Sequence, residues 1–411
     1  MQPLKGLTVV DFSKVLAGPL CAQYLGELGA EVIKVEPVVM GDDTRGWTPT
    51  IEGESTIFLA VNHNKRSIAL DLKSSAGLEV AHRLVRDADI VLQGFGSGSA
   101  QRLGIDRDTL MALNPRLIYC EISGYGRTGP MGREPGYDVM LQAFSGMIST
   151  LGHPGGEYAR ASFSPVDIGT AMFGLSGVLA AVIERQRTGK GVYVELALLD
   201  TALGFMTYMA QTYWHTGKDP QRMGTAHPSM CPYQAFQAKD GPLMLGAGND
   251  AQWRRFCEAT DMADYATHPD FSTNAARLTN LARTVELVQA KIATRTVSEW
   301  VTLLSGIKVS CSPIHTLGQA LDHPQVQARE LIAQTEHPVV GTLKHIGLPV
   351  KFQNGPRKTV CPPPLHGQHT HDILTELGYS EAEVNALLDA SVIRQWQDDE
   401  TRLRKVQDDS I

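Results

Sequence analysis

The fold is indicated by a stretch near the start of the chain, residues 7–36, with the sequence LTVVDFSKVLAGPLCAQYLGELGAEVIKVE. Its first six and last six residues are short runs rich in β-branched side chains, and the segment between them has the apolar spacing of a helix. A strand, a helix and a strand over about 30 residues are typical of a parallel βαβ unit. The stretch therefore predicts the start of an α/β domain.

The same alternation continues beyond this stretch. Strand-like runs lie at residues 67–70, 90–93, 117–122 and 192–198, and helical patterns lie at 74–87, 106–113 and much of 137–187. Strands that alternate with helices predict a doubly wound parallel sheet with helices on both faces.

The composition changes at Gly217-Lys218-Asp219-Pro220. Beyond it, short strands at 233–236 and 242–245 and helices at 252–260, 277–293 and 297–304 predict a second, smaller α+β domain. After His323 the chain is predicted to be rich in loops, up to a helix at 372–377.

Composition and charge exclude several classes of protein. The 411 residues include 37 Lys and Arg against 44 Asp and Glu, a net charge of −7 without basic runs, which argues against nucleic-acid and anionic-membrane partners. The six cysteines form no Cys-x-x-Cys pair, which disfavours a disulfide scaffold or a thiolate zinc site. No signal peptide is predicted, and the longest apolar stretch, about 171–183, is expected to be too short for a bilayer. The sequence predicts a cytoplasmic protein, or one in an organelle matrix if a longer precursor is trimmed.

Two loops contain residues that could bind ligands. Gly94-Phe95-Gly96-Ser97-Gly98-Ser99 follows a strand, so its N–H groups could bind phosphate, or it could be a simple turn. A dinucleotide fingerprint would instead follow the first strand, where residues 13–18 contain one glycine, and this disfavours a nicotinamide enzyme. The loop 365–371 contains three histidines, but a polar lead-in to a helix capped by Thr370 is favoured over a metal site.

Asp167 is the most informative carboxylate. It follows Pro165, which suits the first turn of a helix, so Asp167 could simply offset the helix dipole. The same position is expected to keep the carboxylate ionised at low cost. The small neighbours Gly169, Thr170 and Ala171 are expected to leave room for an acyl group beside it. An accessible, ionised carboxylate can attack a thioester as a nucleophile.

Several segments together resemble the class III coenzyme A transferases, the family of formyl-CoA and carnitine CoA transferases. The matching segments are residues 7–12, 26–36, 64–68, 124–130, 135–138, 188–191 and 362–370. They cover nearly the whole chain in the order of the family.

The resemblance implies a Rossmann-like large domain made from both chain ends, residues 1–205 and 325–411. A small α+β domain would span 222–320, with linkers at 206–221 and 321–324. It also implies that two subunits interlock like links of a chain to form a homodimer.

The resemblance also assigns site residues. The catalytic aspartate of the family corresponds to Asp167. The positions that contact CoA correspond to Val15, Ala17, Leu70, Lys73, Phe95, Arg102 and Tyr137. Compared with the formyl-CoA enzyme, this chain has Pro37 in place of a basic residue, Gly94 in place of asparagine and Leu16 in place of glutamine, which puts oxalate and formate chemistry in doubt.

The reaction implied is the transfer of CoA from an acyl-CoA, such as succinyl-CoA, to a short carboxylic acid, through an aspartyl anhydride and an aspartyl-CoA thioester. The loops at 224–228, 232–236 and 246–249 are similar to those of enzymes that use glutarate-type dicarboxylates, for which Arg45, Arg160 and His227 are candidate anchors. CoA would be a co-substrate, with no resident cofactor and no metal.

Two alternatives remain. Racemases of α-methylacyl-CoA share the fold, but they use a histidine where this chain has Tyr137, and tyrosine, with a pKa near ~10, is a poor base at neutral pH. A non-catalytic CoA-binding protein would not need Asp167.

Overall fold

The protein is represented by a computed structural model, which describes residues 1–352 and 360–396. Within these residues the strands are β1 (Thr8–Asp11), β2 (Glu31–Glu36), β3 (Thr50–Ile51), β4 (Glu54–Ser55), β5 (Arg66–Leu70), β6 (Ile90–Gln93), β7 (Ile118–Ser123), β8 (Val192–Ala197), β9 (Tyr233–Gln237), β10 (Pro242–Gly246), β11 (Ser310–Pro313), β12 (Ile332–His337), β13 (Gly341–Ile346) and β14 (Ile393–Arg394). The helices are α1 (Ala17–Glu27), α2 (Thr56–Val61), α3 (Ser75–Arg86), α4 (Ser99–Arg102), α5 (Arg107–Leu113), α6 (Asp138–Phe144), α7 (Met147–Thr150), α8 (Pro165–Thr188), α9 (Leu198–Phe205), α10 (Thr207–Thr216), α11 (Asp250–Ala259), α12 (Ala263–Thr267), α13 (Asn274–Thr279), α14 (Leu281–Ile292), α15 (Val297–Gly306), α16 (Leu317–Leu321), α17 (Pro324–Ala328), α18 (Thr370–Glu376) and α19 (Glu381–Asp389).

The chain divides into two compact units. The larger contains Met1–Ser145, Ala161–Tyr208 and the described residues from Glu330 to 396, and the smaller contains Gly146–Arg160 and Met209–Arg329. The sequence-based boundaries placed residues 146–160 in the large domain. In the structure this segment contacts the smaller unit: the Gly224 amide donates to the Gly152 carbonyl at 2.9 Å. Residues 397–411, the end of the predicted large domain, lie outside the described residues.

A parallel sheet dominates the larger unit. Within the described residues seven strands lie in the order β14-β5-β2-β1-β6-β7-β8, and all neighbours are parallel except β14, which pairs antiparallel with β5. Helices cover both faces: Val10 and Val91 pack in a core with residues of α3, α5, α18 and α19, while Val9 and Leu92 pack in a second core with α1 and α8. The predicted α/β class with a large parallel sheet is therefore confirmed, and its six parallel strands lie within one or two residues of the predicted positions; β14 was not predicted.

The strand order creates a crevice at the carboxyl ends of the central strands β1 and β6. The chain adds β2 and β5 on one side of β1 and then returns to place β6 on the other side. Loops that leave the carboxyl ends of β1 and β6 consequently diverge, and in open α/β sheets such a switch point is where ligands bind.

Helix α8 is the longest helix among the described residues. It spans 24 residues and is long and apolar enough, by length and composition, to cross a membrane. The apolar stretch at about 171–183, which was expected to be too short to cross a bilayer, lies within α8, so that expectation was wrong. Val178, Ala181 and Val182 of α8 are buried in the core shared with α1 and the sheet, which is the packing of a core helix.

The smaller unit contains an antiparallel sheet in the order β11-β10-β9. Its core includes the buried aromatic residues Trp253, Phe256 and Trp300. The single helix predicted at 277–293 is two helices, α13 and α14, which meet at Asn280.

The chain after residue 323 is more regular than predicted. Strands β12 and β13 form an antiparallel hairpin, and α19 and β14 follow later in the chain. The sequence pattern failed here because the buried positions of the hairpin include polar residues. Thr335 and His345 are buried and hydrogen-bonded to each other at 2.6 Å.

Candidate active site

A cavity of about 390 Å³ lies at the switch point of the large sheet. It is lined by residues of the loops after β1, β6 and β7, the segment after β2, the end of β7, the starts of α1, α8 and α9, and the segment before α6. These residues are Ser13, Lys14, Val15, Leu16, Ala17, Gly18, Asp43, Gly94, Phe95, Gly96, Ser97, Ile122, Ser123, Gly124, Arg127, Arg133, Glu134, Pro135, Gly136, Tyr137, Asp167 and Leu198. The cavity therefore brings Asp167 together with four of the predicted CoA-contacting residues, Val15, Ala17, Phe95 and Tyr137.

The position of Asp167 is fixed by the first turn of α8. Pro165 is the first helical residue, as predicted, and the backbone enters the helix through Ser164 in the left-handed region (φ 55°). The buried Asp138 carboxylate, at the start of α6, accepts hydrogen bonds from the backbone N–H groups of Val166 (2.8 Å) and Asp167 (3.1 Å). The start of α8 is thereby held against α6.

Gln142 completes this arrangement from one turn further along α6. Its side-chain amide accepts from the Ala161 N–H at 2.9 Å, donates to the Ala161 carbonyl at 3.2 Å, and also donates to the Asp138 carboxylate. The buried Gln142 therefore fixes both Asp138 and the segment that leads into α8.

The charge state of Asp167 differs from the prediction. Burial, together with the negative charge of Asp138, raises the pKa of Asp167 to about 7, and burial is the larger cause. The expectation that the helix N-terminus keeps this carboxylate ionised at low cost was wrong, because the N–H groups of Val166 and Asp167 donate to Asp138 instead. Near neutral pH the Asp167 carboxyl is about half ionised.

The small residues after Asp167 also serve a different purpose from the one predicted. A Cβ atom on Gly169 would lie 2.2 Å from the Phe205 ring of α9, so this glycine permits close helix packing. Thr170 is fully buried and its hydroxyl pairs with that of Thr201 at 2.9 Å. Gly169 and Thr170 therefore pack against α9 and do not make room for an acyl group.

The loop after β1 is held by a buried ion pair. Val15 adopts a left-handed conformation (φ 71°), which is strained for a β-branched residue. On one side of the neighbouring Lys14, the Lys34 ammonium donates to the Ser13 carbonyl at 2.9 Å; on the other, the Asp42 carboxylate accepts from the Val15 N–H at 3.3 Å. Lys34 and Asp42 are themselves 2.8 Å apart and buried, so the pair fixes the backbone of this cavity wall.

The glycine-rich loop after β6 is also fixed from within the protein. The Phe95 N–H donates to Gln93 at 2.7 Å, and the Phe95 carbonyl accepts from Arg127 at 2.7 Å. Because the Phe95 N–H is already bonded and the following helix α4 has only four residues, the loop offers less to a phosphate than the sequence suggested.

A second cavity, of about 660 Å³, adjoins the first. Its lining is largely apolar and includes Val35, Pro37, Val38, Val39, Met40, Leu70, Leu72 and Leu103, together with Lys73. Lys14, Asp43 and Phe95 line both cavities, so the two meet at these residues. Of the predicted CoA-contacting residues, Leu70, Lys73 and Phe95 line the second cavity. Arg102 lines neither cavity; its guanidinium donates to the Ser99 hydroxyl at 2.8 Å.

Arg45, a predicted substrate anchor, is occupied by other groups. It forms two hydrogen bonds with Glu36 (2.7 and 2.8 Å) and one with the Pro364 carbonyl (3.0 Å), and its guanidinium lies 3.6 Å from the centroid of the Phe58 ring. Its side chain is only 10% exposed and lines neither cavity. We therefore do not retain Arg45 as a substrate anchor.

The other two predicted anchors belong to the smaller unit. Arg160 is exposed, and the His227 ring accepts from the Ser229 N–H at 3.1 Å and packs against Tyr233. Sequence reasoning missed the cationic residues that do line the Asp167 cavity, namely Lys14, Arg127 and Arg133. Lys14 could have been found, because it lies in the loop after β1 at the predicted sheet edge.

The histidines of the loop 365–371 point to separate partners. His366 bonds to the Pro37 carbonyl (2.9 Å), His369 accepts from the Ser67 N–H (3.2 Å), and His371 pairs with Glu381 (2.8 Å). Within the described ranges there is no group of three or more His, Cys, Asp or Glu side chains that could hold a metal ion.

Comparison with known proteins decides the family. A family model described as CoA-transferase family III matches residues 4–370. The chain belongs to this family. The succinyl-CoA:glutarate CoA-transferase of Mus musculus is 36% identical over 97% of this chain and 92% of its own length. The succinate–glutarate CoA-transferase of Agrobacterium fabrum is 35% identical over 91% of this chain and 96% of its own length.

The fold of the family also matches. The crystal structure of a CAIB/BAIF family protein from Brucella suis superposes with a TM-score of 0.82 at 36% identity, covering 91% of this chain and 99% of that one. The protein is therefore an enzyme that transfers CoA, as the sequence predicted. The racemase alternative is not favoured, and none of the residues that line the Asp167 cavity is a histidine.

Proposed function

We propose that this enzyme transfers CoA from succinyl-CoA to glutarate or a similar dicarboxylic acid, with Asp167 as the nucleophile. The observation that carries the proposal is the cavity at the switch point, which contains a half-buried carboxyl beside four positions that contact CoA in the family. The relatives from mouse and Agrobacterium fabrum, which match nearly the whole chain, support succinyl-CoA and glutarate as the substrate pair.

In the first half of the proposed reaction, the ionised Asp167 attacks the thioester carbon of succinyl-CoA. The C–S bond breaks, giving a mixed succinyl–aspartyl anhydride and CoA thiolate. The thiolate then attacks the aspartyl carbonyl, which releases succinate and leaves an aspartyl-CoA thioester. Each intermediate is an activated acyl group, so the energy of the thioester is retained provided that water is excluded.

In the second half, the steps run in reverse with the acceptor. A carboxylate of glutarate attacks the aspartyl-CoA carbonyl and displaces CoA thiolate, giving a glutaryl–aspartyl anhydride. The thiolate attacks the glutaryl carbonyl, which forms glutaryl-CoA and regenerates the Asp167 carboxylate. A CoA thioester is thus a co-substrate, and the proposal needs no metal and no resident cofactor.

CoA would extend across both cavities. Its thiol end would lie in the cavity with Asp167, and its adenine would lie among the apolar side chains of the second cavity, near Leu70 and Lys73. Phe95 lines both cavities and would contact the pantetheine arm between them.

Arg133 is the proposed anchor for the distal carboxylate of the acid. Of the three cationic residues in the Asp167 cavity, Lys14 pairs with Asp43 (3.3 Å) and Arg127 is bonded to Glu121 and the Phe95 carbonyl. Arg133 is exposed and has no hydrogen bond or ion pair with the described residues, so its guanidinium is available to a carboxylate.

An interlocked homodimer is proposed as the working assembly, in the cytoplasm. The support from this chain is its uncovered apolar surface. Met172, Phe173 and Ile183 of α8 are each about half exposed or more, and α10, which includes Tyr213 and Trp214, has no buried residue. Large exposed apolar surfaces mark contacts with another protein chain.

The function is tested by incubating the enzyme with succinyl-CoA and a panel of acids, with mass detection of new thioesters. Glutarate and valerate form a matched pair, since both have five carbons and valerate lacks the second carboxylate. We expect glutaryl-CoA to form and valeryl-CoA to form far more slowly. Formation of no new thioester, or epimerisation of a chiral 2-methylacyl-CoA, would contradict the proposal.

A variant of the anchor sharpens this test. Arg133→Gln is expected to lower kcat/KM for glutarate about tenfold or more and to leave that for valerate unchanged, because only glutarate presents a second charge. Equal losses with both acids would rule out Arg133 as the anchor. Lys190→Gln, at an exposed lysine that lines neither cavity, is the control.

A further inference from the structure

We propose that Lys14 binds the phosphate groups of CoA and that Asp43 competes with these phosphates for the Lys14 ammonium. The inference rests on the proposed function, because it assumes that CoA lies across the two cavities. It adds two residues with opposite effects on the affinity for the acyl-CoA.

The position of Lys14 is the first argument. Lys14 and Asp43 line both the cavity with Asp167 and the apolar cavity, so they lie where the two cavities meet. The phosphates of CoA stand between its adenine and its pantetheine arm or on the adjoining ribose. A CoA that places its thiol near Asp167 and its adenine in the apolar cavity must therefore pass its phosphates by this junction.

The charges of the apolar cavity are the second argument. Lys14 and Lys73 are the only cationic side chains among the residues that line it, and the carboxylates in the same lining are Glu36, Asp43 and Asp71. Glu36 is already bonded to Arg45 at 2.7 Å, so the two lysines are the groups that can attract an anion. The phosphates of CoA are multiply charged anions, and an ammonium forms charge-assisted hydrogen bonds with them. Lys14 is the one of the two that also lines the Asp167 cavity.

The loop that contains Lys14 is held in place before any ligand binds. The Lys34–Asp42 pair holds the Ser13 carbonyl and the Val15 N–H, the backbone groups on either side of Lys14. The backbone of this loop is therefore already ordered, and binding of CoA does not require a further loss of its conformational entropy. The Lys14 side chain itself remains 32% exposed and can move toward a ligand.

Asp43 is the present partner of the Lys14 ammonium. Its carboxylate lies 3.3 Å away and is 54% exposed, so water screens the pair and the interaction is weak. The pyrophosphate and the 3′-phosphate of CoA each carry about two negative charges, against one on the Asp43 carboxylate, so either group displaces Asp43 from the Lys14 ammonium. Because Asp43 remains at the junction as a negative charge, removing that charge should strengthen the binding of acyl-CoA.

The test compares truncated thioesters with wild-type enzyme and two variants, Lys14→Ala and Asp43→Asn. The donors are succinyl-CoA, succinyl-3′-dephospho-CoA and S-succinyl-pantetheine, each with saturating glutarate. The measured quantity is kcat/KM for the donor, which is defined even for weakly bound donors. Lys190→Ala, a change of the same type at an exposed site, is the control.

With succinyl-CoA, Lys14→Ala is expected to lower kcat/KM about tenfold and Asp43→Asn to raise it about twofold. With S-succinyl-pantetheine, which has no phosphate, neither variant should differ from wild type. If Lys14→Ala no longer lowers kcat/KM with succinyl-3′-dephospho-CoA, Lys14 contacts the 3′-phosphate. If it still lowers kcat/KM with that donor, Lys14 contacts the pyrophosphate.

The inference is overturned if Lys14→Ala lowers kcat/KM equally with the pantetheine donor, or has no effect with succinyl-CoA. It is also overturned if Asp43→Asn weakens the use of succinyl-CoA, and this second variant decides the matter if Lys14→Ala does not fold. If wild-type enzyme transfers the thiol group of none of the three donors to glutarate, the proposed function fails instead.

Discussion

The raised pKa of Asp167 predicts how the rate of transfer depends on pH. In the proposed reaction the carboxyl must ionise before it attacks, and burial with the nearby Asp138 charge raises its pKa from 3.8 to about 7. A shift of about 3 units corresponds to about 4 kcal/mol of lost preference for the ionised form. We therefore expect kcat/KM for succinyl-CoA to rise through pH 7, with about one tenth of its maximum at pH 6.

Substitution of Asp138 tests the cause of this shift. Asp138→Asn removes the neighbouring negative charge, so the acidic limb should move to lower pH. The pKa of Asp167 should not return fully to the ordinary value for an aspartate, because burial, the larger cause of the shift, remains. Asp106→Asn is the matched control, since Asp106 also accepts backbone N–H groups at a helix start but lies outside the Asp167 cavity.

The assay is a pH–rate profile of thioester exchange between pH 5 and 9, with thermal unfolding measured for each variant to confirm folding. A profile that is flat from pH 5 to 8 in the wild type would refute the reasoning, because Asp167 would then be ionised throughout. An Asp138→Asn profile identical to the wild type would refute the contribution of Asp138.

Three further predictions concern stability and assembly. Gly169→Ala should lower the free energy of unfolding by about 1–3 kcal/mol, measured in urea, because its Cβ would meet Phe205 at 2.2 Å; Gly204→Ala, with nothing within 4 Å, should cost far less. Burial lowers the pKa of His345 to about 4. The unfolded chain therefore binds a proton at this site first as pH falls from 6.5, and His345 should contribute a loss of stability of up to about 3 kcal/mol between pH 6.5 and 4. His345→Gln should lose this contribution and keep those of His337, His366 and His369, whose pKa values burial also lowers. Interlocked subunits should not separate on dilution, so light scattering should detect no folded monomer; a folded monomer in dilute solution would contradict the proposed assembly.

The sheet could be predicted from the sequence because its strands are short, buried and β-branched. β2, with the sequence EVIKVE, and β6, with IVLQ, lie where the pattern placed them. The hairpin β12–β13 could not be predicted from the sequence. Its inward positions include Thr335 and His345, and polar residues at buried positions remove the alternation of apolar and polar residues on which a strand prediction depends.

The candidate site was predicted in part. Asp167 was predicted because Pro165 marks a helix start and because the surrounding segments resemble the family, and the structure places it in the cavity at the switch point. Its pKa was not foreseen, since Asp138 comes from another helix, 29 residues earlier in the chain. Arg45 was misjudged because one of its partners, the Pro364 carbonyl, lies 319 residues away and only the fold brings them together.

The central claim is that Asp167 forms a covalent bond with the acyl group and with CoA. The most direct measurement is to incubate the enzyme with succinyl-CoA and hydroxylamine and to analyse its peptides by mass spectrometry. Hydroxylamine converts an aspartyl anhydride or thioester into a stable hydroxamate, and Asp167→Asn enzyme serves as the control. The account predicts a hydroxamate at Asp167 that requires succinyl-CoA; an unmodified Asp167 in enzyme that still transfers CoA would contradict it.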